Sequence, residues 1–79
     1  MNYIFLDNGF EEIEAITTID LLRRANISLT TVSVTGQEMV MGAHNIAVKA
    51  DALFDNVDFS DAEMLILPFS SDSSSFILQ

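Results

Sequence analysis

Three glutamates, Glu11, Glu12 and Glu14, fall within four positions of the stretch DNGFEEIEAI (7–16). Carboxyl groups at that density have two uses. On the first turn of a helix they are solvated anions favoured by the helix dipole, worth about 0.3–1 kcal/mol per charge. Held against apolar neighbours, a carboxyl has its pKa raised by desolvation, which suits a proton donor. At about 3.6 residues per turn, Glu12 lines up with Ile16, Ile19 and Arg23. Glu14 lines up with Thr18, Leu21 and Ala25, a stripe with no basic partner. Glu14 is therefore the carboxyl to follow.

The other reactive side chains are sparse. His44 is the only histidine, so a dyad within one subunit is excluded. It falls in a glycine-flanked hairpin tip, an exposed place for a group that titrates near neutral pH. Asp51, Asp55, Asp58, Asp61 and Glu63 lack the D-x-D-x-D-G run of a calcium loop and read as a solvated acidic edge. Ser70, Ser71, Ser73, Ser74 and Ser75 have no nearby base and no G-x-S-x-G elbow. No G-x-G-x-x-G or G-K-[ST] loop occurs, so nucleotide binding has no support. The absence of cysteine excludes a disulfide, a thiolate metal site and a cysteine nucleophile. No metal and no cofactor are expected.

The elements that position these groups follow from the pattern. A chain of 79 residues, 49% hydrophobic and 19% charged, is one small globular domain. Its single core supplies no more than roughly 3–5 kcal/mol. The net charge of −9, with only Arg23, Arg24 and Lys49 basic, repels phosphates and disfavours nucleic acid and anionic membranes. The longest strongly apolar run, 64–69, is too short to span a bilayer. The start of the chain lacks a basic signal-peptide region. A cytoplasmic setting is expected.

YIFL (3–6) reads as a buried strand ending in a DNG turn. A helix begins near Phe10, with Ile13, Ile16, Ile19, Leu22 and Ala25 recurring at threes and an Asp20–Arg24 pair in support. Arg23 and Arg24 complement its last turn, and Asn26 follows where a left-handed cap residue belongs. ISLTTVSV (27–34) is a second strand. EMVM (38–41) and NIAVKA (45–50) form a small hairpin about GAH. The stretch 51–63 is one short helical turn and a loop. EMLILP (63–68) suits a parallel strand buried on both faces. This order is the opening of an α/β fold with a parallel sheet. Composition changes abruptly at Phe69, so residues 69–79 are expected to be a Ser-rich tail foreign to the fold, which stops midway.

The segments GFEEIEA (9–15), RRA (23–25) and ILP (66–68), in that order over residues 1–68, resemble the ThiJ/PfpI family of class I glutamine-amidotransferase-like domains. The resemblance implies a flavodoxin-like parallel-sheet sandwich, truncated here after its first half, and usually a homodimer. It implies a site built from a glutamate matching Glu14, a Gly-Gly pair after the Leu-Pro strand end, and a cysteine at a later elbow. Glu14 is then expected half-buried at the helix start, facing the C-terminal end of the sheet. The family's hairpin tip often reaches the neighbouring subunit, which makes His44 an interface candidate. Phe69 and Ser70 stand where the glycine pair belongs, and no cysteine follows.

Two functions are therefore expected as alternatives. One is the N-terminal half of a cysteine-dependent glyoxalase- or deglycase-type enzyme or related hydrolase, inactive alone with Glu14 orphaned, and aggregation-prone as a fragment. The other is a small non-catalytic module that forms homo-oligomers or binds a partner through its open sheet edge.

Overall fold

The structure, a computed structural model, describes residues 1–68. The expected tail, 69–79, lies outside the described residues. Strand β1 (Asn2–Leu6) leads through a DNG turn to helix α1 (Glu12–Arg24) and then to β2 (Leu29–Ser33). A hairpin of β3 (Met39–Met41) and β4 (Ala47–Lys49) follows, then β5 (Ala52–Leu53), two 3-10 turns at Phe54–Asn56 and Phe59–Asp61, and β6 (Met64–Ile66). The main sheet runs β5-β2-β1-β6 with every pair parallel, and the hairpin forms a separate antiparallel ribbon. This is the parallel α/β architecture expected of the order strand, helix, strand.

Alternation along β1 sorts the core into two faces. Ile4 and Leu6 are fully buried on the α1 side, where Leu6 packs with Phe10, Ala15 and Val40. Burying one such side chain is worth about 1.5–3 kcal/mol. Tyr3 and Phe5 point the other way, into an aromatic cluster. The Tyr3 and Phe59 rings meet edge to face at 4.9 Å, and Phe5, Phe54 and Phe59 stack with centroids 5.2–6.0 Å apart.

The helix buries a different stripe from the one expected. Ala15 and Glu12 are buried and Ile19 and Leu22 half-buried, whereas Ile13 and Ile16 are exposed. The reason is geometric. Residues three apart advance about 300° and drift around the helix, while 12, 15, 19 and 22 keep to one side. The helix ends as its sequence requires, with Asn26 in the left-handed region at φ 61 and Arg24 Nε 2.9 Å from Asp20.

The stretch 51–63 holds a strand that its composition hides. β5 is two residues long and pairs with the end of β2, too short to carry a period. The acidic edge is also more than solvated charge. Asp51 accepts a hydrogen bond from the Thr31 N–H at 3.0 Å, and its own N–H donates to Thr31 Oγ1 at 2.8 Å. It also meets the Arg23 guanidinium at 3.0 Å, tying the end of α1 to β2. Asp61 accepts from the Tyr3 hydroxyl at 2.9 Å, and Glu63 pairs with the N-terminal ammonium at 3.1 Å. Among the described residues no helix is long and apolar enough to cross a membrane.

Candidate functional site

The chain leaves β1 for β2 on one side and returns to β6 on the other. In open parallel sheets the crevice at such a reversal, outside the carboxyl ends of the strands, is where ligands bind. Here that region holds two hollows separated by the end of β6. On the aromatic side, a cleft of about 460 Å³ is walled by Phe5, Phe10, Phe54 and Pro68, with Asp7 at its margin. On the helix side, a groove of about 310 Å³ runs between Ile13, Glu14 and Thr17 of α1 and Ile66, Leu67 and Pro68.

Glu14 thus lies beside the carboxyl end of β6. It is exposed, however, rather than half-buried as expected. The drift of the helix stripe explains this, since Glu14 stands about a quarter turn from the line of Ala15 and Leu22, at the margin of the buried stripe.

The buried carboxylate is Glu12, only 3% exposed. Its partners come from the hairpin. Oε2 accepts from the His44 N–H at 2.6 Å and the Ile46 N–H at 3.3 Å. Oε1 lies 2.7 Å from His44 Nδ1. The hairpin is also stitched to the loop before α1. Gly9 N–H donates to the Met41 carbonyl and Ala43 N–H to the Phe10 carbonyl, each at 2.8 Å, while Asn8 Oδ1 accepts from Met41 N–H at 3.1 Å. The tip owes its shape to Asn45 in the left-handed region at φ 65, and Gly42 lets it approach the Glu12 side chain. A Cβ on Gly42 would overlap the Glu12 carboxyl.

Burial alone would raise the Glu12 pKa, but the His44 ring and the converging backbone N–H groups outweigh it and lower it to about 2. In turn the Glu12 hydrogen bond and charge, with Glu11 at 3.8 Å, raise the His44 pKa above its ordinary value. Glu12 is therefore an anion and the His44 Nδ1–H its donor. Glu11, Glu12 and His44 could together hold a divalent ion, each offering an atom within 4.8 Å of the others. Both Glu12 oxygens already accept from N–H groups, so an ion there competes with the His44 proton.

His44 accordingly falls at the expected hairpin tip, but its ring has a function within the chain. Residue type and spacing do not single out Glu12 or Gly42. The one local signal lay in the helix, where Glu12 heads the 12-15-19-22 stripe.

The sequence pattern of the DJ-1/PfpI family matches residues 2–69. Protein DJ-1 homolog B of Arabidopsis thaliana is 36% identical over 61 residues, which are 77% of this chain and 14% of that protein. The solved structure of oxidized Toxoplasma gondii DJ-1 superposes with a TM-score of 0.83 at 31% identity, over 89% of this chain and 38% of the other. Drosophila melanogaster DJ-1beta gives a TM-score of 0.82 at 28% identity, over 92% of this chain and 41% of the other. This chain therefore spans a minor share of each relative.

Proposed function

The chain belongs to the DJ-1/PfpI family, and on that premise we propose that residues 1–68 are the N-terminal part of a cysteine-dependent enzyme domain. Its chemistry would be of glyoxalase or deglycase type, or a related hydrolysis, on small reactive carbonyl or acyl compounds. The carrying observation is the position of Glu14 beside Leu67 and Pro68, where the carboxyl end of β6 opens into the groove. In such a site the Glu14 carboxyl faces the thiolate across the groove, within reach of a proton-transfer role.

This chain contains no cysteine, and Phe69 and Ser70 follow Pro68 where the family places glycines. Alone it is inactive in this reading. Its setting is cytoplasmic, and the exposed face of His44 meets a second subunit.

The test is a graft. Residues 1–68 replace the matched stretch of Toxoplasma gondii DJ-1, and methylglyoxal turnover is compared with the ungrafted parent. Retained turnover that falls about 10²–10⁴-fold with Glu14→Gln supports the role of a general acid. Turnover indifferent to Glu14→Gln removes Glu14 from the mechanism. Turnover by the 79-residue chain alone removes the claim of inactivity.

A further inference from the structure

The corner where α1 meets the hairpin tip carries more than fastening a hairpin requires. Glu12 alone satisfies the His44 N–H, the Ile46 N–H and the His44 ring. Glu11 adds a second carboxylate, with Oε1 3.8 Å from His44 Nδ1. Glu11 is the N-cap residue of α1, yet its side chain takes no capping hydrogen bond. Among the described residues neither glutamate forms an ion pair with arginine or lysine, since Arg23 meets Asp51 and Arg24 meets Asp20. Two negative charges therefore share one imidazole.

The buried carboxylate is also aimed. Its Oε2 is held by two backbone N–H groups, which leaves Oε1 turned toward Nδ1. Outer hydrogen bonds orient ligating carboxylates in metal sites in this way. Oε1, a Glu11 oxygen and Nδ1 lie within 4.8 Å of one another and come from two elements. Zinc bonds to nitrogen and oxygen of about 2.0–2.2 Å put tetrahedral donors about 3.4 Å apart. The separations of 2.7 and 3.8 Å from Nδ1 bracket that spacing. The positive end of α1 opposes a cation with about half a charge, against two from the carboxylates. An imidazole donor selects a transition ion over magnesium or calcium, which take oxygen ligands. The His44 side chain is 66% exposed, so the corner is open to an entering ion and to water.

We propose that Glu11, Glu12 and His44 form a three-ligand site for a divalent transition ion of the zinc type, seated in place of the proton between Glu12 Oε1 and His44 Nδ1. Neutral His44 gives its Nδ1 lone pair to the ion, and the displaced proton passes to solvent. Glu12 Oε2 keeps its backbone hydrogen bonds, and water takes the open position. The ion then ties the β3–β4 hairpin to the start of α1. The inference does not rest on the enzymatic reading of Glu14.

The full 79-residue chain, freed of metal with a chelator, is titrated with zinc chloride and followed by calorimetry and by nitrogen NMR of the histidine ring. One ion per chain is expected, with the His44 Nδ1 resonance moving more than Nε2. Glu11→Gln and His44→Gln should each weaken binding at least tenfold. Asp55→Asn, a change on the exposed acidic edge, should leave it unaltered. Magnesium should bind at least tenfold more weakly than zinc. Circular dichroism of each variant checks that its helix is kept. Glu11→Gln removes no capping hydrogen bond, so it carries the test even if His44→Gln loosens the hairpin. Absence of zinc binding would overturn the proposal. So would zinc binding indifferent to Glu11→Gln, a shift confined to Nε2, or equal affinity for magnesium.

Discussion

The Glu12 carboxylate and the His44 ring meet at 2.7 Å although 32 positions separate them in sequence. That contact fastens the β3–β4 hairpin to the start of α1. It joins two groups whose pKa values move in opposite directions, so the fastening has an acid limit and an alkaline one.

Thermal unfolding should show both limits. Glu12 has an ordinary value of 4.5 and a folded value of about 2. Its contribution is thus complete above about pH 4.5 and fades as pH falls toward 2. The His44 pKa is raised from 6.5. Its contribution is complete below about pH 6.5 and is lost as pH climbs through the raised folded value. Tm should therefore be highest between about pH 4.5 and 6.5. His44→Gln should flatten the alkaline limb and leave most of the acid limb. An unchanged alkaline limb in that variant would assign it to another group.

Gly42 and Glu12 should be energetically coupled. A methyl at Gly42 has no room beside the Glu12 carboxyl, and overpacking of this kind costs about 1–3 kcal/mol. Gly42→Ala should lower stability by that amount in urea melts. In a Glu12→Ala background most of the penalty should vanish. Additive losses across this double-mutant cycle would show that the methyl clashes with something else.

Asp51 should matter more to stability than its partner Arg23. Its carboxyl accepts a hydrogen bond from the Thr31 N–H of β2, worth about 0.5–1.5 kcal/mol, while the bond from Asp51's own N–H to Thr31 Oγ1 survives a change of side chain. The Arg23 pair is half-exposed on both sides, which limits it to about 0–1 kcal/mol. Burial opposes ionisation of Asp51, but the Thr31 hydrogen bonds and the Arg23 charge prevail and lower its pKa. Asp51→Ala should therefore cost more than Arg23→Ala at neutral pH. Equal costs would mean that the ion pair, and not the strand contact, holds the staple.

The strands and the helix were legible because their signals are local. YIFL, the β-branched run of β2 and the apolar run of β6 each declare themselves within a few residues. Asn26 likewise marked the left-handed residue after α1. The site was less legible because its decisive contacts are distant in sequence. Counting apolar residues at threes followed a line that winds around the helix, and this hid Glu12 at the head of the true buried stripe. Nothing local to GFEEIEA reveals that a hairpin begun more than 25 residues later supplies the N–H groups that make burial of Glu12 tolerable. β5 escaped because two residues carry no alternation.

The last prediction separates two glutamates that differ by two positions. Glu12 is buried and its oxygens are engaged by the hairpin. Removing it leaves the His44 and Ile46 N–H groups without an acceptor, a loss that water at the partly open tip only partly repairs. Glu14 is exposed at the margin of the α1–β6 groove, and among the described residues its carboxyl makes no such contact. Glu12→Ala should thus lower Tm clearly and speed hydrogen exchange at Gly42, His44 and Ile46. Glu14→Ala should leave both within error, apart from a small loss of favourable charge on the first helical turn. In the graft the ranking should depend on the readout, with Glu14 governing turnover and Glu12 governing folding. A Glu14 variant that melts as early as the Glu12 variant would show that Glu14 is structural, and its proposed chemistry would lose its ground.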